Sequence, residues 1–135
     1  MNNQKILSES FEKIKNYLKN NNKIEELIVN FKFPAELNKI IDFPINQIGV
    51  SENEFLELLD KYLNFSVRTG NKQFLNQLYS GFNFPAFIGE IFSTLANTSM
   101  YTYEVAPVAT MIETEMIKLM NSYAGYSHGE GLFVG

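Results

Sequence analysis

Two short stretches of the sequence could do chemistry. Residues 76–81 read NQLYSG and residues 97–104 read NTSMYTYE. Each crowds amide, hydroxyl and aromatic groups together, whereas an ordinary amphipathic helix keeps its polar and apolar residues on opposite faces. Between them lies an apolar segment opened by Pro85. One reading is structural: Asn76, Ser80, Asn97, Thr98 and Ser99 satisfy backbone groups at helix ends and turns. The other is functional: two loops at the ends of one helix present Gln77 and Tyr101 to a shared cavity. Spacing alone leaves both open.

Other candidates are weaker. The segment HGEGLFVG at 128–135 is glycine-rich. A phosphate-cradling loop converges its amides on the anion with a strand before it or a helix after it. Here a helical pattern precedes, so a plain turn is expected, with His128 at the surface. Glu113 and Glu115 point in different directions on a helix and do not make a facing acid–base pair. They read as solvated or interface-paired. There is no cysteine and one histidine, which excludes thiolate and histidine-cluster metal sites. No metal is expected.

Bulk properties narrow the class further. Of the 135 residues, 45% are apolar and only 19% charged, so some apolar surface is expected to be covered by something outside the chain. The net charge is −4 and the lysines form no basic stripe, which argues against nucleic acid as a partner. No apolar run reaches membrane-span length and no signal-peptide core follows Met1. The expected location is the cytoplasm, with no membrane partner.

The elements that must position these residues read as helices. Leu7, Phe11, Ile14 and Leu18 recur on one face. That helix is expected to extend away from the rest, its face built for a partner. A short helical pattern follows over 23–29. Pro34 suits the first turn of another. Ser51 and Glu54 make a capping-box pattern, before a stripe of Phe55, Leu58, Leu59, Tyr62 and Leu63 that fades near Gly70. The helix from Pro85 to about Ala96 is apolar nearly all round, which predicts burial on most sides. Pro107 opens the last helix, with Val108, Met111, Ile112, Leu119 and Met120 inward.

Three stretches carry a resemblance: FSVRTG at 65–70, FLNQL at 74–78 and, most specifically, NTSMYTYEVAPV at 97–108. VNFKFPAEL at 29–37 fits more loosely. Over roughly 23–135 the chain resembles the N-terminal part of the group II pyridoxal-phosphate-dependent amino-acid decarboxylases, in the branch of glutamate and cysteine sulfinate decarboxylases. Two departures stand out. Asn71-Lys72-Gln73 replaces a common His-Pro-Arg, and Tyr79 replaces a small residue of the glutamate branch. The second lies beside Gln77 and bears on substrate more than on fold.

The resemblance implies an all-α chain here, forming the N-terminal helical segment and first helices of a fold-type I (α/β) enzyme. It implies a dimerisation segment over 1–80 and the start of the large cofactor-binding domain over 81–135. The Gln77 position would contact the distal group of an amino-acid substrate and the Tyr101 position would wall its pocket. Leu78, Tyr79 and Ser99 are further candidates for that wall. The cofactor would be pyridoxal 5′-phosphate, and the partner a second copy in a homodimer. No catalytic or cofactor-binding residue is expected within the chain. The phosphate-binding turn would follow Gly135, and the Schiff-base lysine, the ring-stacking His and the Asp on the ring nitrogen would come later. The expectation is therefore an N-terminal fragment, not competent alone. Two other readings stand beside it: a non-catalytic remnant or dimerisation module, and a small helical bundle that binds an apolar ligand.

Overall fold

The computed structural model describes residues 2–41, 48–75, 78 and 81–133. The regular structure among them is helical throughout, as the sequence predicts: α1 (Asn3–Asn20), α2 (Pro34–Ile41), α3 (Glu52–Phe65), α4 (Phe84–Ala96) and α5 (Pro107–Ala124). The chain divides into two units, Met1–Phe82 and Asn83–Gly135.

In the first unit α1 and α3 lie side by side and run in the same direction. The Asn2 amide donates to the Glu52 carboxylate at their starts, and Lys13 pairs with Asp60 further along. This corrects the expectation that α1 extends away from the rest. Ile14 and Leu18 are half-buried, while Leu7 is 59% exposed. Only the C-terminal half of the predicted stripe is therefore partly covered, since Phe11 is also exposed, and periodicity does not reveal what lies against it. Each helix start has its own chemistry. Asn2 caps α1 by accepting from the Lys5 amide at 3.2 Å. Ser51 and Glu54 form the expected reciprocal box, with the Ser51 amide donating to Glu54 at 2.8 Å and the Glu54 amide donating to Ser51 Oγ at 3.3 Å.

Other expectations in this unit shift. Residues 23–29 form turns, not a helix, closed by Lys23 N–H on the Asn20 carbonyl and Glu26 N–H on the Lys23 carbonyl. The seven residues of 23–29 are too few on their own to repay helix nucleation. Helix α3 stops at Phe65, short of Gly70: the Ser66 backbone turns extended at ψ 144°, and its hydroxyl donates back to the Tyr62 carbonyl at 2.6 Å. Its most buried residue is Leu56, 5% exposed. Tyr62 is exposed, and Phe55, Leu58, Leu59 and Leu63 are half-buried. The buried face is thus rotated from the predicted stripe toward Leu56.

In the second unit Asn83 caps α4, accepting from the Ala86 amide at 2.9 Å, with Pro85 in the first turn. The predicted burial of α4 is not found: none of its residues is buried. The inward face predicted for α5 is likewise exposed at Val108, Met111, Ile112, Leu119 and Met120. The pairing of α1 with α3 is the one extensive helix–helix contact among the described residues. Among the described residues, α4 and α5 share no extensive contact with each other. Gly125 ends α5 in the left-handed region, φ +82°, as helix C-termini favour. The chain then returns along α5. Asn121 donates to the Gly129 carbonyl at 3.0 Å and the Phe133 amide donates to Glu113 at 2.9 Å.

Candidate functional site

The first polar stretch lies only partly within the described residues. Asn76, Gln77, Tyr79 and Ser80 fall outside them. Leu78 is described and fully exposed. It belongs to the first unit, whereas Ser99 and Tyr101 belong to the second.

The second stretch is a run of turns between α4 and α5. Asn97 ends α4 in the left-handed region at φ 47°, its amide donating to the Ser93 carbonyl at 3.1 Å. Asparagine tolerates that conformation better than most residues. Its structural role is therefore real. Glu104 has its carboxyl held below the usual glutamate range, first by its own backbone amide and then by the Thr102 side chain. The Ala106 amide closes the run on the Thr102 carbonyl at 3.2 Å, and Ala106 is 2% exposed. These contacts use Asn97, Thr102 and Glu104, but not the two site candidates. Ser99 is exposed, and Tyr101 stands 92% exposed. A large aromatic side chain held in water by an ordered turn is available to contact something else.

The carboxylates and the histidine of the second unit also find their places. Glu113 is half-buried and accepts a solvent-exposed hydrogen bond from the Phe133 amide, a partner that the sequence did not indicate. Glu115 pairs with Lys118 at 2.7 Å. His128 is exposed and lines an open hollow of about 920 Å³ with Lys118, Asn121 and Tyr126. Sequence reasoning missed a polar group in the first unit. Asn21 and Asn71 are 7% and 5% exposed, and Arg68 sits beside them. Asn71 was noticed only as a departure from a family pattern. Burial of an asparagine follows from long-range packing and has no local signature.

A pyridoxal cofactor needs an amine in an enclosed site and a cradle for its phosphate. Lys13 pairs with Asp60, Lys15 with Glu12 and Lys118 with Glu115. Lys23, Lys32, Lys39 and Lys72 are exposed, and no described lysine is buried. The described residues by themselves do not fit the cofactor. Among them there is also no cluster of three or more metal-ligating side chains, and no helix long and apolar enough to cross a membrane.

Residues 34–134 match the family described as the pyridoxal-dependent decarboxylase conserved domain. Human cysteine sulfinic acid decarboxylase is 36% identical over 110 residues, 82% of this chain and 22% of that protein. An acidic amino acid decarboxylase of Mus musculus is 32% identical over 82% of the chain and 20% of that protein. Glutamate decarboxylase of Drosophila melanogaster is 28% identical over 86% and 23%. A crystal structure of mouse CSAD matches with a TM-score of 0.90 at 32% identity, covering 97% of this chain and 28% of that one. The chain thus spans about a fifth of the length of the curated relatives it matches.

Proposed function

This chain belongs to the pyridoxal-dependent decarboxylase family, and we propose that the protein it contributes to releases carbon dioxide from the α-carboxyl of an acidic amino acid. Glutamate, aspartate and cysteine sulfinate are the substrates in question. The observation that carries this is the substrate class named by the matched relatives, which are cysteine sulfinic acid, acidic amino acid and glutamate decarboxylases. Pyridoxal phosphate, the family's cofactor, supplies an electron sink when bound. We assign residues 1–80 to a helical dimerisation segment and 81–135 to the start of the large cofactor-binding domain. The parts that hold the cofactor would lie in the length of the relatives that this chain does not span.

The chain's own contribution is to the substrate. The Gln77 amide donates a hydrogen bond to the distal carboxylate or sulfinate. The Tyr101 ring, exposed here, walls the pocket and excludes water, with Leu78, Tyr79 and Ser99 beside it. The protein is cytoplasmic and works as a homodimer. The uncovered apolar residues Phe92, Leu95, Val108 and Met111 support an assembly larger than this chain.

The test is to express the full reading frame with pyridoxal phosphate and follow carbon dioxide release from the three amino acids. Turnover of at least one is expected. Absence of turnover on all three overturns the decarboxylase reading in favour of a non-catalytic dimerisation module.

A further inference from the structure

Helix α1 carries a second stripe apart from its apolar one. Lys13, Asn16, Tyr17 and Asn20 follow helical spacing and share one face. Helix α3, alongside, adds Asp60 and Asn64 one turn apart, and Arg68 follows its end. These side chains line an open hollow of about 360 Å³, within the size range of small-molecule sites.

Arg68 is presented to this hollow from a fixed point, its backbone amide donating to the Ile28 carbonyl at 2.9 Å. Its side chain is only 13% exposed. Nη2 donates to Glu26 at 3.1 Å, and the guanidinium lies 4.3 Å over the Tyr17 ring. Nη1 is buried and meets no acceptor among the described residues. A buried donor on a charged group is costly when left unmet, and such a group calls for an acceptor. A carboxylate is the acceptor that a guanidinium fork matches best.

The other charges set what else the guest must carry. Lys13 pairs with Asp60, but Asp60 is 57% exposed. An ion pair so open to water is weak and can exchange partners. An anion alone would face the repulsion of Asp60. A cation alone would face Lys13 and Arg68. A molecule that bears both charges meets neither. The carboxamides of Asn16, Asn20 and Asn64 donate and accept alike, so they suit polar groups of either kind.

We propose that this hollow binds a small amino-acid zwitterion, its carboxylate received by Arg68 and Lys13 and its ammonium by Asp60. The test is isothermal titration of the full-length protein with β-alanine, propionate and ethylamine. Propionate keeps only the carboxylate of β-alanine, and ethylamine only its ammonium. β-Alanine has no carboxyl on its amine-bearing carbon, so it is not a substrate for the proposed decarboxylation and the result stands apart from that reading. It is expected to bind about ten-fold more tightly than either single-charge probe. Asp60→Asn, at an exposed position that the fold tolerates, should weaken β-alanine about ten-fold and leave propionate no weaker. Arg68→Lys should weaken β-alanine and propionate alike, because lysine keeps the charge but not the fork. Tyr101→Ala should bind β-alanine as the parent does. If Arg68→Lys does not fold, Asp60→Asn carries the test. No binding, equal affinity for the three probes, or β-alanine binding unchanged by Asp60→Asn overturns the proposal. So does loss of binding in Tyr101→Ala without loss in Asp60→Asn, which would put the probe in the substrate pocket.

Discussion

Gly129 passes so close to Asn121 that a Cβ on the glycine would fall 2.7 Å from the Asn121 side-chain nitrogen. That nitrogen also donates to the Gly129 carbonyl at 3.0 Å. One contact thus demands both a residue without a side chain and an amide donor eight positions earlier. Gly129→Ala should displace the Asn121 side chain, which swings away at little steric cost but forfeits its hydrogen bond. The expected loss is about 1 kcal/mol. Asn121→Ala should match it, and the double variant should cost no more than either alone, because both remove the same bond. Thermal unfolding of the three variants checks this. Additive losses would mean that the two residues act separately.

Glu113 holds the far end of the same returning segment through the Phe133 amide, 2.9 Å away. The contact is open to solvent, so its net worth is at the low end, about 1 kcal/mol. Its local effect is larger than its global one. Glu113→Ala should leave the Phe133 amide to exchange freely, whereas Glu113→Gln retains a carbonyl acceptor and should keep it protected. Amide exchange at Phe133, read by NMR, separates the two. Equal exchange in both variants would mean that the acceptor does not hold the segment.

The start of α3 should respond to acid. The Glu54 carboxyl lies below the ordinary glutamate value of 4.5, first because of the Ser51 side chain and then its backbone amide. A carboxyl lowered on folding adds stability above its unfolded value, and that stability is lost as pH falls through the folded value. The capping box should therefore persist from neutral pH down to about 4.5 and fail below it. The Ser51 amide shift, followed by titration, should report a midpoint under 4.5. Ser51→Ala should move the Glu54 midpoint upward. An unchanged midpoint would remove Ser51 as the cause.

Helix positions were legible because their signals are local. Pro34, Ser51 with Glu54, Pro85 and Pro107 each mark a start by chemistry that involves only neighbouring residues. The 23–29 segment failed because a few apolar residues at helical spacing do not outweigh nucleation, and the early stop of α3, where the Ser66 backbone turns extended, has no sequence signature. The faces were legible only as stripes. That α1 lies against α3, while Phe92 and Leu95 of α4 and Val108 and Met111 of α5 stay exposed, depends on packing that periodicity does not name. The candidate site was legible through a twelve-residue match at 97–108, not through spacing, which left capping and pocket roles equally open. Asn97 and Thr102 proved to be turn residues, while Tyr101 was left free. Asn21, Arg68 and Asn71 went unread because the residues that meet in this group lie some fifty positions apart.

Gln77 and Tyr101 supply the remaining prediction, in the full-length protein. If Gln77 donates to the distal acidic group, Gln77→Ala leaves that group one partner short in a desolvated pocket. A hydrogen bond to a charged group is worth about 1.5–3 kcal/mol, so kcat/KM should fall by about ten- to a hundred-fold. Cofactor affinity should barely change, because no described residue of this chain forms a cradle for it. Tyr101→Ala should cost more, since it removes ring packing and admits water together. Tyr101→Phe divides those effects: a near-normal rate assigns the role to the ring, and a loss like that of alanine assigns it to the hydroxyl. Kinetics on glutamate, aspartate and cysteine sulfinate for each variant provide the measurement. If both alanine variants keep the parent's activity on every substrate it accepts, the two stretches serve only as turns and caps, and neither residue lines the pocket.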